Sequence, residues 1–382
     1  MKFNTEEQTI FENIRKILKK SKKPLFFYHD DADGVCSFLQ MYNYVGYGKN
    51  VIVKSKPFVD SKFFKIVDSI QPDYIFTLDL AVVTNDFIEF CDKRNIPLIT
   101  IDHHELPKET KQHIYYNPKL FRKNDITSCS ELCFYILEQP KEMMWISSIG
   151  SAGDWQIPSF VDELFKLHPE LEQSYSLSQI LNKEDKFILD IEQESRDKYT
   201  KKNPEFYLFN TKIGLLSFII SFAIKGKMNQ VKKSISSLTK IKHYNEILQQ
   251  NSPPGKFVWK NFIKHLEYFY PNYYDCIKKT SKQDKLLKVY SYNSSSSFSS
   301  ELSNFLYYHN PDAFVVVARL KDDFYRTSLR YKGDALALMK KITHDIEIQG
   351  GGHKNACGLS IPNDFFRKFK TRLKKELVLL NS

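Results

Sequence analysis

Short apolar runs alternate with helical patterns through the first hundred residues of the chain. The apolar runs are 24–28, 51–53, 74–78 and 97–101, and the segments with helical spacing are 35–44, 61–70 and 85–94. Strands that alternate with helices of about ten residues are typical of right-handed βαβ units, in which helices cover both faces of a parallel sheet. The pattern therefore predicts a doubly wound α/β domain.

The later part of the chain divides into two further patterns. From residue 160 to about 282 the apolar spacing is mostly helical, clearest in 213–224 and 228–250, and Pro253-Pro254-Gly255 predicts a break after the second helix. Strand signals return at 286–292, 313–319 and 324–329, with helical segments at 299–308, 334–343 and 364–380. We predict three parts: a doubly wound domain over 1–165, a helical connector over 166–284, and a smaller α/β domain over 285–382.

Composition places the chain among folded proteins of a reducing compartment. It has 382 residues, of which 42% are hydrophobic and 14% aromatic, so it can bury more than one core. Its six cysteines show no paired CxxC spacing, which argues against a disulfide framework or a structural zinc site. The longest apolar run, 213–224, is shorter than the ~20 residues of a membrane span. We expect a cytoplasmic protein without a membrane segment.

The net charge of +11 is concentrated in the later part of the chain. Residues 1–160 are nearly neutral, whereas 225–288 contain 14 lysines and four acidic residues, interleaved with nine aromatic residues. Such a stretch favours a polyanion with stackable bases, as in single-stranded nucleic acid. It is equally compatible with a solvated lysine face on helices whose aromatic side chains form a core. Both interpretations stay open at this point.

Acidic and imidazole side chains stand where the predicted strands end. The first strand is followed by His29, Asp31 and Asp33, the third by Asp79, and the fourth by Asp102, His103 and His104, while Asp154 follows a helical pattern. Because the carboxyl ends of parallel strands share one edge, these side chains are expected to meet there. Carboxylates this close would repel unless cations lay among them. One acid alone would be read as a helix cap, but the ordered set favours a metal site.

The number and type of these ligands predict two divalent ions. Oxygen and imidazole ligands without thiolates suit Mn²⁺ or Mg²⁺ better than structural zinc, and we choose Mn²⁺ with Mg²⁺ as a substitute. Five or six ligands exceed the needs of one open catalytic ion. Two ions that share a carboxylate are the usual arrangement for the hydrolysis of phosphate esters.

These residues resemble the motifs of the DHH phosphoesterase superfamily, which includes RecJ-like nucleases, nano-RNases and cyclic-dinucleotide phosphodiesterases. His29-x-Asp31-x-Asp33-Gly34 resembles the first motif, Asp79 the second, Asp102-His103-His104 the third and Asp154 the fourth. The resemblance implies that His29, Asp31 and Asp79 hold one metal. It implies that Asp33, Asp79, His103 and Asp154 hold the other, with His104 facing the scissile phosphate and Asp102 orienting an imidazole.

The C-terminal part resembles the substrate-binding DHHA1 domain of the same superfamily. The resemblance rests on Ser328-Leu329-Arg330 and on Gly350-Gly351-Gly352-His353. Glycines let backbone N–H groups approach a phosphate closely, and Arg330 and His353 add charged donors. It implies that Ser328, Arg330, the three glycines and His353 bind substrate. Elsewhere, Ser128 and Ser130 precede a helical pattern, and helix capping is their expected role ahead of substrate binding.

Three functions follow from these expectations. The first is a Mn²⁺-dependent two-metal phosphodiesterase, an exonuclease that releases nucleoside monophosphates from single-stranded DNA or RNA or from short oligonucleotides, with replication or repair proteins as partners. The second is a phosphatase or phosphodiesterase of small substrates, such as 3′-phosphoadenosine phosphate or cyclic dinucleotides. The third is a non-catalytic replication scaffold that has lost its metals, against which the complete ligand set argues.

Overall fold

A computed structural model of the chain describes residues 2–54, 58–106, 113–183, 185–294, 296–346, 348–352 and 354–381. These residues form two compact units, and each unit uses two segments of the chain. The first unit is Met1–Tyr175 with Tyr199–Ile263, and the second is Ser176–Lys198 with Lys264–Ser382. Within the described ranges, no helix combines the length and the apolar character needed to cross a membrane.

Helices and strands alternate along most of the chain. The strands are β1 (Pro24–His29), β2 (Lys49–Val53), β3 (Phe58–Val59), β4 (Tyr74–Leu78), β5 (Val82–Val83), β6 (Leu98–Ile101), β7 (Ile114–Tyr116), β8 (Leu287–Tyr292), β9 (Phe314–Lys321), β10 (Phe324–Arg330), β11 (Gln349–Gly352) and β12 (Ala356–Pro362). The helices are α1 (Thr5–Lys20), α2 (Ala32–Val45), α3 (Phe64–Ile70), α4 (Asn85–Asp92), α5 (Cys129–Ile136), α6 (Met144–Gly153), α7 (Val161–Leu167), α8 (Leu177–Ile180), α9 (Lys186–Arg196), α10 (Pro204–Phe209), α11 (Lys212–Ala223), α12 (Met228–Leu238), α13 (Asn245–Leu248), α14 (Pro253–Ser281), α15 (Ser299–His309), α16 (Ala335–Ile342) and α17 (Phe366–Asn381).

A parallel sheet with helices on both faces forms the centre of the first unit. Its strands lie in the order β2-β1-β4-β6-β7. Leu25 and Phe27 of β1 pack with α3 and α4, whereas Phe26 and Tyr28 point to the opposite face and contact Phe38 of α2. The predicted doubly wound α/β fold is confirmed. The strand order reverses between β1 and β4, and folds of this class bind ligands at the carboxyl edge of such a switch point.

The helical middle of the chain differs from the prediction in two respects. The segment 228–250 is not one helix, because α12 ends at Leu238 and α13 begins at Asn245. Pro253 and Pro254 start α14, since proline is well tolerated in the first turn of a helix. The stretch 166–284 is divided between the two units, and its apolar helix α11 packs against α6 and α2 of the first. The three-part division stays a prediction.

The second unit contains a mixed sheet with the strand order β11-β12-β10-β9-β8. Strands β8 and β9 are parallel and are joined through α15, while the other neighbours are antiparallel. A buried apolar cluster under α16 and α17 covers one face, with Phe314, Leu338 and Phe369 among its members. This arrangement has the α/β character predicted for the end of the chain. The strands β11 and β12 were not predicted.

A buried ion pair attaches α1 to the sheet of the first unit. The Glu7 carboxylate is fully buried and accepts hydrogen bonds from Arg122 Nη1 at 2.7 and 2.8 Å and from Tyr116 Oη at 2.9 Å. Glu7→Gln is expected to lower the free energy of unfolding by about 2–4 kcal/mol, because it removes the buried charge with which Arg122 pairs and leaves Asp125 as its remaining acidic partner. Urea unfolding measures this loss. Glu12→Gln, which breaks an exposed pair with Lys16, is the control, and equal losses in both variants would contradict the prediction.

His309 is buried in the second unit between two hydroxyl groups. Its Nδ1 lies 2.7 Å from Ser195 Oγ, and its Nε2 lies 3.1 Å from Tyr273 Oη. Burial, together with the nearby charge of Lys198, lowers the pKa of His309 to about 3. The folded chain therefore keeps this ring neutral.

The neutral state of His309 predicts a loss of stability in acid. An unfolded histidine has a pKa of about 6.5, so between this pH and about pH 3 the unfolded chain binds a proton that the folded chain does not. The contribution of His309 to the free energy of unfolding is complete above about pH 6.5. Below this pH it falls by up to about 1.4 kcal/mol per pH unit. Urea unfolding of the wild type and of His309→Gln across this range should give a steeper slope for the wild type. Equal slopes would argue against a neutral buried ring.

Candidate metal centre

The predicted acidic and imidazole residues of the first unit meet at the carboxyl edge of the parallel sheet, beside the switch point. They come from the ends of three strands, the start of one helix and the end of another. The set is His29 at the end of β1, Asp31 and Asp33 at the start of α2, Asp79 after β4, His103 and His104 after β6, and Asp154 at the end of α6. These side chains lie close together because β1, β4 and β6 are neighbours in the sheet.

One side of the cluster is formed by the β1–α2 turn. His29 Nδ1 lies 2.6 Å from Asp31 Oδ2 and 3.5 Å from Asp79 Oδ2. The other oxygen of Asp31 accepts a hydrogen bond from Gly34 N at 2.9 Å and so caps α2. A Cβ on Gly34 would lie 2.5 Å from the carbonyl oxygen of His29. Glycine is therefore required for the helix to start directly against the strand that carries His29.

The other side of the cluster is centred on His103. Its Nε2 lies 3.2 Å from Asp154 Oδ2, 3.3 Å from Asp79 Oδ1 and 3.9 Å from Asp33 Oδ2. Asp33 is fully buried, and the first turn of α5 orients it. The backbone N–H groups of Cys129 and Ser130 donate to its two oxygens at 2.7 and 2.9 Å. A helix N-terminus is a favourable place for a carboxylate.

Asp79 lies between the two sides. Its backbone is left-handed, with φ of +56°, and its side chain is buried. Burial alone would raise its pKa, but the imidazoles of His103 and His29 hold the pKa below the usual value. Neither of its oxygens accepts a hydrogen bond in the described structure. Three groups have ligand atoms within 4.8 Å of one another: His29, Asp31 and Asp79; Asp33, His103 and Asp154; and Asp79, His103 and His104.

Asp33, Asp154, His29 and His103 also have shifted pKa values. Burial raises the pKa of Asp33 well above its usual range, and the charges of Asp154 and Asp79 raise it further. Burial raises the pKa of Asp154 as well. Burial opposes the protonation of His29 and His103, yet the adjacent carboxylates raise the pKa of both rings. The cluster thus contains acidic groups whose charge needs compensation, which divalent cations can provide.

The donor set and its spacing fit divalent ions. Ligand atoms about 2.1 Å from an octahedral ion lie about 3 Å apart when adjacent and about 4 Å apart when opposite. The distances from His103 and His29 to their acidic neighbours cover this range. The two buried oxygens of Asp79 that accept no hydrogen bond are free to bind cations. Carboxylate and imidazole donors suit Mn²⁺ and Mg²⁺.

His104 is oriented by residues that the sequence analysis identified only in part. Its Nδ1 lies 2.7 Å from Asp102 Oδ1, and Asp102 is fully buried. Asn117, also buried, donates from Nδ2 to the backbone oxygen of His104 at 3.0 Å and to Tyr115 Oη at 3.2 Å. The role of Asn117 was missed, because it follows β7, a short strand with no clear sequence signal. Its position before Pro118 is the signal that could have drawn attention to it.

Ser128 and Ser130, at the start of α5, stabilise the helix end that contacts the cluster. Ser128 caps α5 through its hydroxyl, which accepts from Glu131 N, and it also lies 2.7 Å from Ser151 Oγ. Ser130 is buried beside Asp33. Cys129 and Cys133 lie one turn apart on α5 and are fully buried, so they pack as small apolar side chains. These residues hold the helix that orients Asp33.

The predicted substrate residues of the second unit lie on neighbouring strands of one sheet. In the β10–β12–β11 register, Ser328 faces Gly358, and Gly358 faces Gly351. The three glycines Gly350–Gly352 form an exposed edge strand. Arg330 donates to Asn304 Oδ1 at 2.8 Å. Burial lowers the Arg330 pKa to about 10. His353 lies outside the described residues.

The aromatic residues of the basic stretch are mostly part of the two cores. Tyr244, Phe262, Phe269, Tyr270 and Tyr273 are buried. Tyr268 is the exposed one of the nine, all of which are described, and is 63% accessible. Helical packing turns these five rings inward, which favours the interpretation of a lysine face on helices with an aromatic core. Twelve of the fourteen lysines of the same stretch are exposed, whereas Lys225 is half-buried and Lys288 is buried.

Fold and site together define a class: a doubly wound α/β protein with a carboxylate and imidazole cluster at the switch point of its parallel sheet. Residues 25–152 match the family model described as "DHH family, N-terminal domain". The chain therefore carries a DHH-family domain, as its motifs predicted. Comparison with curated protein sequences gives no significant match.

Solved structures with a similar fold include RecJ and CDC45 proteins. RecJ from Thermus thermophilus in complex with Mn²⁺ is 13% identical with a TM-score of 0.66, over 98% of this chain and 55% of that chain. Exonuclease RecJ bound to manganese is 13% identical with a TM-score of 0.60, over 97% and 94%. CDC45 from Entamoeba histolytica is 12% identical with a TM-score of 0.54, over 97% and 99%. These likenesses show that the chain shares the fold of these proteins. The chain spans about half the length of the Thermus protein.

Proposed function

We propose that the chain is a metal-dependent phosphodiesterase with two divalent ions, preferably Mn²⁺, that releases nucleotides from single-stranded nucleic acid or short oligonucleotides. The observation that carries the proposal is the position of Asp79. Its Oδ2 faces His29 and its Oδ1 faces His103, so one buried carboxylate belongs to two ligand groups. A shared carboxylate is typical of paired ions in phosphoester hydrolysis.

The division of the ligands is the one that the motif resemblance implies. His29, Asp31 and Asp79, which form one of the three groups, would hold one ion, and Asp33, Asp79, His103 and Asp154 would hold the other. When bound, the pair would lower the pKa of water and offset the negative charge that develops on the phosphoryl oxygens. The first turn of α5 keeps the carboxylate of Asp33 fixed through two backbone hydrogen bonds. The chain thus supplies ligands whose positions do not depend on the substrate.

His104 would bind the scissile phosphate. Asp102 Oδ1 lies 2.7 Å from its Nδ1 and fixes the ring, and Nε2 would donate to a phosphate oxygen. Asn117 holds the backbone of the same turn. The residue would therefore act as a positioned donor to the oxygen on which charge develops.

The second unit would serve as a DHHA1-type substrate domain. Ser328, Arg330 and the glycine strand would bind the terminal nucleotide, with His353 as a further donor. The β10–β12–β11 register supports this proposal, because only β12 separates the strand of Ser328 and Arg330 from the glycine strand, so that the backbones of β10 and β11 lie about 10 Å apart.

A small-substrate phosphodiesterase is the second candidate. The buried aromatic residues of the basic stretch favour it, since they offer little stacking surface for a long strand. A location in the cytoplasm is proposed for either enzyme, in keeping with six buried, unpaired cysteines.

Product analysis tests the proposed function. The purified chain is incubated with Mn²⁺, Mg²⁺ or EDTA and with end-labelled single strands, a dinucleotide and bis(p-nitrophenyl) phosphate. We expect mononucleotide release with Mn²⁺ and none with EDTA. Cleavage of the small diesters without cleavage of strands would support the second candidate instead. Metal binding without any hydrolysis would overturn both candidates, and the absence of both hydrolysis and Mn²⁺ uptake would indicate the scaffold.

A further inference from the structure

A surface rich in lysine covers the region of α12 and the start of α14 in the first unit. Residues 225–263 contain eight lysines, one acidic residue and no arginine, whereas residues 1–160 are nearly neutral. Seven of the eight lysines are exposed, and Lys225 is half-buried. A large share of the excess positive charge of the chain is therefore concentrated on this part of its surface.

Each of the two helices buries apolar residues on one side and exposes lysines on the other. The buried residues include Val231 and Ile235 of α12 and Val258 and Phe262 of α14. The exposed lysines are Lys232, Lys233, Lys256 and Lys260. Asn261 Nδ2 of α14 donates to Ser234 Oγ of α12 at 3.0 Å, which holds the two helices side by side. The four lysines therefore belong to one continuous surface, which we call the lysine face.

The charge of the lysine face is not balanced by acidic side chains. Among the residues that the structure describes, none forms an ion pair with any of its four lysines. Glu246, the acidic residue of 225–263, accepts hydrogen bonds from the backbone N–H groups of Lys242 and His243 at 2.7 and 3.2 Å. Its charge is thus used to cap the backbone. Ammonium groups held together without counter-charges repel one another and attract a polyanion, which releases its own counterions when it binds.

Helix α12 starts close to the edge of the sheet that carries the metal ligands. Lys54 follows β2, which runs parallel to β1 with Val53 opposite His29. Lys54 Nζ donates a hydrogen bond to the backbone oxygen of Ile224, just after α11, at 2.8 Å. Helix α12 begins shortly afterwards, at Met228. A nucleic-acid strand whose end lies at the metal centre can therefore continue along α12.

We propose that the lysine face binds the sugar-phosphate backbone of a single strand whose terminal nucleotide lies at the metal centre. The proposal rests on the proposed function and deepens it, since it explains how strands longer than a dinucleotide are held. Ammonium groups on flexible stems bind phosphates as point charges and do not read sequence. Protein interfaces are instead enriched in arginine and aromatic residues and depleted in lysine. Residues 225–263, all of which are described, contain no arginine and no exposed aromatic side chain, so nucleic acid is favoured over an acidic protein.

Strand binding across a salt series tests the lysine face. The variant combines Lys233→Gln, Lys256→Gln and Lys260→Gln. The control changes the net charge equally at exposed positions elsewhere in the same unit and combines Lys20→Gln, Lys65→Gln and Lys93→Gln. Binding of labelled oligothymidylate and oligouridylate is followed by fluorescence anisotropy in EDTA, which prevents turnover. We expect the variant to bind at least about tenfold more weakly at about 0.1 M salt, with a salt slope shallower by about 2, since each ammonium–phosphate pair contributes about 0.7. The control should match the wild type.

Hydrolysis of substrates of different length gives a second readout. We expect kcat/KM of the variant to fall at least about tenfold on the long strands and less than about twofold on a dinucleotide or bis(p-nitrophenyl) phosphate. A larger loss on one of the two strands identifies DNA or RNA as the preferred source of the backbone.

Three results would overturn the proposal. They are an unchanged strand affinity or salt slope in the variant, an equal loss in the control, and displacement of the strand by polyglutamate at equal charge concentration, which would indicate an acidic protein as the occupant. If the wild type hydrolyses no substrate, the proposed function fails, while the binding data in EDTA still decide whether the lysine face holds a strand.

Discussion

Asp79→Asn is expected to reduce kcat by at least about 1,000-fold and to remove at least one bound metal ion. One buried hydrogen-bond donor at a developing charge is worth about 100- to 1,000-fold, and Asp79 faces both ligand groups, so its loss should cost more. Asparagine keeps the shape of the side chain and tolerates the left-handed backbone at φ of +56°. The substitution therefore tests the charge and leaves the fold intact.

Two measurements decide this prediction. Mn²⁺ stoichiometry by calorimetry and hydrolysis of bis(p-nitrophenyl) phosphate should fall together in Asp79→Asn. Asp86→Asn, at an exposed position in the first turn of α4, is the control and should retain both. A variant of Asp79 that binds two ions with wild-type affinity would refute the shared carboxylate.

His104→Ala is expected to lower kcat by about 100- to 1,000-fold while both metal ions remain bound. The expectation follows from Asp102, whose Oδ1 lies 2.7 Å from Nδ1 and fixes the ring in the proposed role of a phosphate donor. Asp102→Asn should give a smaller decrease, about 10- to 100-fold, because it loosens the ring without removing it. The ratio of the two effects reports how much of the role of His104 depends on its orientation.

The Mn²⁺ stoichiometry of His104→Ala separates two roles of His104, that of a metal ligand and that of a phosphate donor. Its Nδ1 also lies 3.7 Å from Asp79 Oδ1, within one of the three groups that could hold an ion. If His104 is a metal ligand, its removal will lower the Mn²⁺ stoichiometry, and the assignment as a phosphate donor will be wrong. His344→Ala, at an exposed histidine of the second unit, controls for the loss of an imidazole.

The main sheet was predictable because its signals are local. Each buried strand of a parallel sheet is a short apolar run, and the observed β1, β4 and β6 lie within a residue or two of the predicted 24–28, 74–78 and 97–101. Strand ends mark one edge of such a sheet, so the meeting of His29, Asp79 and His103 could be anticipated. What remained hidden was the order of strands around the switch point, which depends on packing across the whole unit.

Features that depend on tertiary contacts were missed. Strand β11 contains three glycines and looked like a loop, yet it is held at the sheet edge by its pairing with β12. The inward direction of Tyr244 and Phe262 depends on which face of each helix meets a neighbour, and a lysine-rich sequence leaves this undecided. The hydrogen bond of Lys54 with Ile224 joins positions 170 residues apart, and no local sequence pattern predicts it.

The path of the chain through the first unit also bears on how the protein is made. Residues 176–198 belong to the second unit, and the first unit resumes at Tyr199 with α11, which packs on α6 through close approaches such as that of Ser217 to Gly153. A ribosome adding about 5–20 residues per second must therefore extend the chain well past Tyr175 before α11 covers α6 and α2. A nascent fragment ending there would expose apolar surface, which makes this interval a natural point for chaperone engagement.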